Sequence, residues 1–362
     1  KLAQAVAAVD NKAYIEPCKM TLGEWLDIWA DTYLEGVKPR TVKIYKDDIR
    51  LHIKPYLAAV KLDELDTHTV QKYFNTLLKS GKKVPKKDKD GNTVKKDGKT
   101  VYEGAPLSAK TVKNVHGVLH GALRQAVINR YIPLNPADGD FCKLPKAKKQ
   151  EIKPLDETQI AEFLKAIRGN DYEDIFIVTL FTGMREGEVM GLTWDCVDFE
   201  NGILTVNKQM QLHQESGMVA YQLVPTKNSK ARTITAAPFV MAQLKQHKVT
   251  QAKQRLLAGE LWHRSDLVFT DALGNHLTKP TLYRAFKKAA AAIGRPDARF
   301  HDLRHSYAVA AIRSGDDIKT VQGNLGHATA AFTLDVYGHV TDQMKQDSAN
   351  RMEAFIKSVS GS

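Results

Sequence analysis

Cysteine is scarce in this sequence, and long apolar runs are missing. Only Cys18, Cys142 and Cys196 occur in 362 residues, and their wide spacing excludes a disulfide framework and a Cys-x-x-Cys metal knuckle. Such cysteine usage is typical of a protein of the reducing cytosol. No uninterrupted apolar run approaches the ~18–20 residues that span a bilayer, which argues against an integral membrane protein.

Common nucleotide-binding and hydrolase motifs are also missing. The sequence contains no P-loop, Gly-x-Gly-x-x-Gly, His-Glu-x-x-His or serine-elbow motif. It begins at Lys1 rather than Met, and we interpret residues 1–19 as the remnant of an N-terminal segment or linker, not as a signal peptide. The function is therefore predicted from charge and from dispersed side chains.

Positive charge is abundant and unevenly distributed. The chain has 53 Lys and Arg against 41 Asp and Glu, a net charge of +12. Residues 1–153 carry +11 of this charge, and residues 154–362 carry only +1. Because the basic runs belong to one folded part of the chain, they favour a phosphate-tracking surface, and nucleic acid is the leading partner.

Hydrophobic periodicity divides the chain into two parts. Residues 20–142 predict about four helices, with Thr21 and Glu24 as a capping box. A basic insertion at 82–106 has two Asp-Gly pairs, which predict the turns of an exposed hairpin or of a disordered loop. A basic linker, 143–153, leads to residues 154–362, which predict helices around a small antiparallel sheet. The sheet is expected from three runs, 203–206, 219–224 and 231–236, and the second helix of the first part is expected to run from a Thr41 cap to a stop near Pro55.

Four short segments carry candidate catalytic side chains. They are TLFTGMREGEVMGLTW, PTKNSKARTI between two predicted strands, HDLRHS, and LGHATAAFTLDVYGHV near the end. In chain order they supply Arg185, Lys227, His301, Arg304, His327 and Tyr337.

In this order the motifs resemble those of the tyrosine recombinases, the lambda-integrase-like family, and most closely the integrases of conjugative transposons. The resemblance covers residues 20 to 360, and its motifs are specific in combination. It implies a mainly α fold with a small antiparallel β-sheet, in which a helical, SAM-like core-binding domain (20–142) and a mixed α/β catalytic domain (154–362) form a C-shaped clamp on DNA.

The resemblance also implies the reaction. A site-specific recombinase of this kind integrates and excises a mobile element by transesterification, without a cofactor or a metal. Tyr337 is the expected nucleophile, which forms a 3′-phosphotyrosyl intermediate. Arg185 and Arg304 would hold the phosphate oxygens, because the guanidinium fork suits bidentate phosphate contacts.

The remaining candidates have proton-transfer and supporting roles. His301 is expected as the general base toward Tyr337, His327 as a hydrogen-bond donor to the phosphate, and Lys227 as the acid for the departing 5′-oxygen. Glu188 is expected to orient these groups. Lys230 is a rival to Lys227 in the same turn.

Alternative interpretations stay open at this stage. His301 and His305 have the i, i+4 spacing of a zinc-binding helix, although no Glu lies between them and Arg304 does. His339 is interpreted as a supporting residue, and Tyr307 as lying too close to Arg304 in the chain to be the nucleophile. A type IB topoisomerase and a non-catalytic DNA-binding regulator are the competing functions.

Duplex DNA is the expected partner. The tail helix, Met344–Val359, is expected either to dock on a neighbouring subunit or to pack on its own chain. The resemblance further implies a homo-oligomer, a tetramer on synapsed DNA, with an excisionase and DNA-bending accessory proteins, in a bacterial cytoplasm and near the nucleoid. The expected DNA-binding residues are Lys38, Arg40, Lys43, Lys46, Lys146, Lys148 and Lys149.

Overall fold

A computed structural model describes residues 18–146, 152–215, 218–226, 231–327, 329–331, 334 and 341–360. Its internal contacts divide the chain into two compact units, residues 1–150 (unit 1) and 151–362 (unit 2), so that the division falls within the predicted linker. Across the described residues, no helix has the length and apolar character needed to cross a membrane.

Unit 1 is built from helices around one apolar core. Its described helices are α1 (Leu22–Thr32), α2 (Pro39–Asp48), α3 (Lys54–Leu57), α4 (Thr67–Ser80) and α5 (Ala109–Ile128). The predicted capping box is present at α1, where the Glu24 amide donates to Thr21 Oγ1 and the Thr21 amide donates to Glu24 Oε2. Trp25, Phe74 and Leu119 are fully buried between these helices.

The second predicted helix differs from the structure at both ends. Lys38, not Thr41, is the N-cap residue of α2. Pro55 does not end the helical path, because a π-helical turn, Ile49–Ile53, leads into α3 with the proline in its first turn. A proline is tolerated in the first turn of an α-helix, because a backbone N–H at that position has no acceptor within the helix.

The basic insertion is an ordered hairpin. It contains β1 (Lys82–Pro85), β2 (Lys95–Lys96), β3 (Lys99–Thr100) and β4 (Tyr102–Ala105), with β1 antiparallel to β4 and β2 antiparallel to β3. Asp97 and Gly98 have φ values of 51° and 75°, which is typical of the two-residue turn that Asp-Gly favours. The predicted turn is thus confirmed.

Unit 2 is a helical body with two small sheets. Its described helices are α6 (Glu157–Ile167), α7 (Glu173–Thr182), α8 (Glu186–Met190), α9 (Pro238–Ala258), α10 (Lys279–Ala292), α11 (Phe300–Arg313), α12 (Ile318–Leu325) and α13 (Thr341–Ser360). Its described strands are β5 (Val197–Asp198), β6 (Ile203–Val206), β7 (Lys208–Glu215), β8 (Met218–Pro225) and β9 (Arg232–Thr235). After its acidic first turn, helix α7 is almost entirely apolar and lies in the core.

The single three-stranded sheet predicted from the apolar runs is wrong in its pairing. Strands β5, β6 and β9 form one sheet, with Leu204 opposite Ile234, whereas β8 pairs with β7 in a separate hairpin. The sequence KQMQLHQE of β7 is too polar to signal a strand, but it lies next to β8 in the chain and gives it a local antiparallel partner. The fold class is confirmed as mainly α with small antiparallel sheets.

Candidate active site

Two helices of unit 2 end in glycines, and the carbonyl groups at these helix ends accept hydrogen bonds from two arginines. Helix α7 ends at Gly183 (φ +65°) and α12 ends at Gly326 (φ +61°), both in the left-handed region that favours glycine. A Cβ on Gly183 would lie 2.4 Å from Cδ1 of Tyr307, so a side chain is excluded there on packing grounds as well.

Arg304 and Arg185 bind these helix ends. Arg304, on α11, is 2% exposed, and its Nη1 and Nη2 donate to the carbonyl oxygens of Gly183 at 2.6 Å and Leu325 at 2.5 Å. Arg185 precedes α8, and its Nη2 donates to the carbonyl oxygen of Gly326 at 3.0 Å. Because the C-terminal end of a helix carries partial negative charge, both guanidinium groups are favourably placed.

Glu188 is buried beneath the two arginines that it binds. Its Oε1 accepts from Arg185 Nη1 at 2.7 Å and from Arg232 Nη1 at 3.0 Å, and its Oε2 accepts from Arg232 Nη2 at 2.6 Å and from the Arg185 amide at 2.9 Å. Burial alone would raise the pKa of this carboxyl, but the hydrogen bonds and charges of Arg232 and Arg185 hold the pKa at about 2. Glu188 is therefore ionised and positions Arg185, in keeping with the orienting role expected for it.

Sequence reasoning missed Arg232. This residue opens β9, and its Nε donates to the carbonyl oxygen of Asn324 at 2.8 Å. In the sequence it is one basic residue among several in PTKNSKARTI, so the only available signal was its position at the start of a predicted strand.

Three histidines surround the arginines. His301 and His305 lie one turn apart on α11, with ring centroids 4.8 Å apart, and His327 directly follows Gly326. Desolvation, followed by the charges of Arg304 and Arg185, lowers the pKa of His301 to about 4 and that of His327 to about 3. Desolvation and His301 lower the pKa of His305 to about 4.

These imidazoles are neutral at pH 7. His301 is exposed at the surface of the unit, so water screens part of the effect on its pKa, but the direction keeps its ring uncharged and able to accept a proton. Arg185 has 37% of its side chain exposed, whereas Arg304 is buried. Arg185 is therefore placed for direct contact with a substrate, and Arg304 contributes positive charge from its buried position.

Tyr307 is also near this cluster, but its surroundings do not suit a nucleophile. Its Oη accepts a hydrogen bond from Asn324 Nδ2 at 2.8 Å, and burial raises its pKa. Within the described residues, no group of three or more His, Cys, Asp or Glu side chains could hold a metal ion. The zinc-helix alternative for His301 and His305 therefore has no third ligand among those residues.

The structure brings together five of the predicted site residues. They are Arg185, Glu188, His301, Arg304 and His327. Strand β8 ends at Pro225 and β9 begins at Arg232, and Lys227 falls between these two strands in the sequence. Lys227, its rival Lys230, Tyr337 and His339 themselves lie outside the described residues.

The expected DNA-binding residues belong to unit 1. Lys38, Arg40, Lys43, Lys46 and Lys146 are exposed, and the first four lie at or within α2. Lys46 Nζ is 2.7 Å from Asp31 Oδ1, an exposed ion pair that offsets part of its charge. Lys148 and Lys149 lie outside the described residues.

Two protein-family models match the chain. The phage integrase family matches residues 153–344, and the N-terminal SAM-like domain of phage integrases matches residues 21–78.

Individual proteins are similar over most of the chain. A tyrosine recombinase XerC-like protein of Caldanaerobacter subterraneus subsp. tengcongensis is 28% identical, over 92% of this chain and 83% of the relative. The ICEBs1 integrase of Bacillus subtilis is 26% identical, over 69% of this chain and 67% of the relative.

Solved structures share the fold. The Tn1549 transposon integrase in complex with a circular intermediate DNA superimposes with a TM-score of 0.70 at 19% identity, over 92% of this chain and all of that chain. A lambda integrase dimer bound to a core site superimposes with a TM-score of 0.58 at 19% identity, over 88% of this chain and 95% of that chain.

Proposed function

We propose that this chain, which belongs to the phage integrase family, is a site-specific DNA recombinase that integrates and excises a mobile element. It cleaves and rejoins DNA strands by transesterification through a 3′-phosphotyrosyl intermediate. The solved structures similar to it include integrases bound to DNA, and one is the Tn1549 transposon integrase. These likenesses support DNA as the substrate and a mobile element as the context.

The charge of the candidate active site carries the proposal. The guanidinium groups of Arg185 and Arg232 bind one carboxylate, Glu188. That of Arg304 binds the ends of α7 and α12, beside neutral imidazoles. An excess of two positive charges thus remains among these groups at pH 7. A phosphodiester has one negative charge, and attack on phosphorus places two on the non-bridging oxygens, so the site stabilises the transition state more than the substrate.

The first step breaks one ester bond and forms another. The Tyr337 oxygen attacks phosphorus, its proton passes to His301, and the bond from phosphorus to the 5′-oxygen breaks. Lys227 donates a proton to that departing oxygen. Because the new bond is again a phosphate ester, a 5′-hydroxyl of another strand can attack it and release Tyr337 without an external energy source.

Arg185 and His327 contact the phosphate during this exchange, and Arg304 adds positive charge from its buried position. Arg185 is fixed by Glu188 and Gly326, so its guanidinium loses little freedom when it binds a phosphate oxygen. His327 begins the segment that leads to Tyr337, ten residues further on. A contact from His327 to the phosphate would therefore position the start of the segment that carries the nucleophile.

Unit 1 supplies the grip on the duplex in this proposal. Its exposed basic side chains, among them Lys38, Arg40 and Lys43, suit sequence-independent contacts with phosphates. We expect both units to clamp the duplex, and the active assembly to be a tetramer on synapsed DNA. One similar solved structure is a lambda integrase tetramer bound to a Holliday junction, which supports that expectation. An excisionase and DNA-bending proteins are expected partners in the bacterial cytoplasm.

A nicked substrate tests the reaction directly. When the chain cleaves next to a nick, the short leaving strand diffuses away and the covalent protein–DNA adduct accumulates. We expect an adduct with the unaltered chain, unaffected by EDTA, and none with Tyr337→Phe, although that variant still binds the DNA. Tyr307→Phe is the matched control and should still form the adduct.

Three results would contradict the proposal. They are an adduct that survives Tyr337→Phe, a strict need for divalent metal, and relaxation of supercoiled DNA without any exchange of strands between duplexes. The last result would indicate a topoisomerase.

A further inference from the structure

We propose that Arg232 is a positioning residue, which holds Glu188 and the end of α12 in one arrangement and so places both Arg185 and His327 for the reaction. The inference depends on the proposed function. It concerns a residue of β9 that the motif resemblance does not include.

Arg232 connects three elements of unit 2 through its three side-chain nitrogens. From β9, its Nη1 and Nη2 each donate to one oxygen of Glu188 on α8, at 3.0 and 2.6 Å. Its Nε donates to the carbonyl oxygen of Asn324 in the last turn of α12, at 2.8 Å. The guanidinium plane therefore fixes the distance between the start of α8 and the end of α12.

The same two elements carry the catalytic candidates. The carboxylate of Glu188 accepts hydrogen bonds from both the side chain and the backbone amide of Arg185. On the other side, a Cβ added to Gly326 would lie 3.1 Å from Cδ of Arg232 and 3.2 Å from its Nε and Nη1, so Arg232 packs directly against Gly326. His327 is the next residue in the chain. A shift of Arg232 would therefore displace both Arg185, through Glu188, and His327, through Gly326.

Arg232 is poorly placed to touch substrate itself. Its side chain is only 13% exposed, and the three nitrogens are directed at Glu188 and Asn324. Lysine could not replace it fully, because an ammonium is a point charge that cannot present a bidentate edge to a carboxylate and a third donor to a carbonyl at once. The geometry thus demands an arginine, and its effect must pass through Glu188 and α12.

The test compares Arg232→Gln and Arg232→Lys with Arg313→Gln, a change of an exposed arginine on α11, in the full chain. The rate of adduct formation at saturating nicked DNA should fall ~10–100-fold for Arg232→Gln, as for other groups that orient a catalytic residue, with unchanged affinity for DNA. Arg232→Lys should recover part of the rate. Arg313→Gln should match the unaltered chain.

A double-mutant cycle separates positioning from general stability. Combining Arg232→Gln with Glu188→Gln should cost less than the two separate losses together, because the two side chains act as one unit. Losses that add fully would refute the inference.

Hydrogen exchange provides a readout that does not depend on recombination. In Arg232→Lys, amide exchange should increase in peptides covering 185–190 and 322–327, and stay unchanged in the rest of unit 2. Increased exchange throughout unit 2 would instead indicate a merely structural residue and overturn the proposal. Absence of adduct with the unaltered chain would count against the proposed function, and the exchange pattern would still decide the role of Arg232.

Discussion

The two units of this molecule use positive charge in opposite ways. Unit 1 has a large excess of basic residues, and those of its hairpin and of α2 are exposed to solvent. Unit 2 is almost neutral, yet it places two guanidinium groups on one buried carboxylate and a third at the ends of two helices. The first arrangement suits many interchangeable phosphate contacts, and the second suits chemistry on a single phosphate.

This difference implies that substitutions in the two units fail in different ways. A single solvent-exposed lysine contributes little to stability or to DNA binding, and neighbouring lysines can take over its contacts. A guanidinium fixed by a carboxylate and by a helix end has one geometry, and its neighbours depend on it. Charge changes in unit 2 should therefore have large, local effects, and those in unit 1 small effects that add together.

The largest effect is expected for Glu188→Gln, on the stability of unit 2. This change removes the only carboxylate that the structure shows bound to Arg185 and Arg232 and leaves their charges in a buried place, at a cost of about 3–5 kcal/mol. Thermal or urea unfolding of the full chain would measure it. The matched control is Glu186→Gln, since the Glu186–Lys279 pair is partly exposed and should be worth less than about 1 kcal/mol. Equal losses for both variants would show that the buried carboxylate contributes no more to stability than an exposed ion pair.

Arg185→Lys should affect the reaction next most strongly. The lysine keeps the charge but cannot bind Glu188 and Gly326 while presenting a fork to the phosphate. By analogy with the loss of one oxyanion donor, adduct formation should slow ~100–1,000-fold with DNA affinity retained. Single-turnover kinetics on nicked DNA would measure this loss, with Arg313→Lys as the control. A loss of DNA affinity without a loss of rate would show that Arg185 contributes to DNA binding and not to catalysis.

Local patterns in the sequence predicted most of the elements but not all of their partners. The capping box of Thr21 and Glu24 was predicted correctly, because it depends only on two side chains three residues apart. The pairing of β8 with β7 could not be predicted, because pairing depends on which strand is nearest in space, and β7 is polar. The continuation of the helical path through Pro55 could not be predicted, because it depends on the π-helical turn Ile49–Ile53 that precedes the proline.

The candidate site shows the same limit. Arg185, His301 and Arg304 stand in segments with a recognisable order, so they could be identified before any geometry was known. Arg232 could not, because its importance comes from Glu188 and Asn324, which are 44 and 92 residues away in the chain. A buried ion network is a property of three-dimensional proximity, and one sequence does not reveal it.

Lowering the pH should destabilise unit 2 more than unit 1. The unfolded chain takes up protons on its histidines near pH 6.5, whereas folded His301, His305 and His327 have pKa values of about 4, 4 and 3. Protons therefore bind the unfolded state preferentially, and stability falls as the pH drops from 7 toward 4. Glu188, with its pKa of about 2, acts in the same direction below pH 4.5.

Calorimetry of the full chain at pH 7, 6 and 5 would follow both units. A His305→Gln, His327→Gln double variant should lose part of the shift. In unit 1, His116 is the described histidine with a lowered pKa, so a weaker response is expected there. A pH response of unit 2 that the double variant leaves intact would contradict the assignment to these imidazoles.

The smallest single effect is expected from the hairpin of unit 1. All eight of its lysines are exposed, and Lys96 lies directly opposite Lys99 across the Asp97–Gly98 turn. Like charges in directly opposed positions destabilise a hairpin, and a phosphate between them would relieve the repulsion. We therefore predict that the tip of this hairpin contacts the DNA backbone, as one part of the grip.

The salt dependence of DNA affinity measures such contacts, because each neutralised phosphate contributes ~0.9 to the slope of log K against log salt concentration. One variant changes four hairpin lysines to Gln: Lys87, Lys95, Lys96 and Lys99. The matched control changes four other exposed lysines to Gln: Lys72, Lys165, Lys253 and Lys319. The hairpin variant should lower the slope by ~1–3 without changing the rate of adduct formation at saturating DNA, and the control should leave both unchanged. Equal slopes for the two variants would show that these lysines only keep the hairpin solvated, and the grip would then lie elsewhere in unit 1, with α2 as the first place to look.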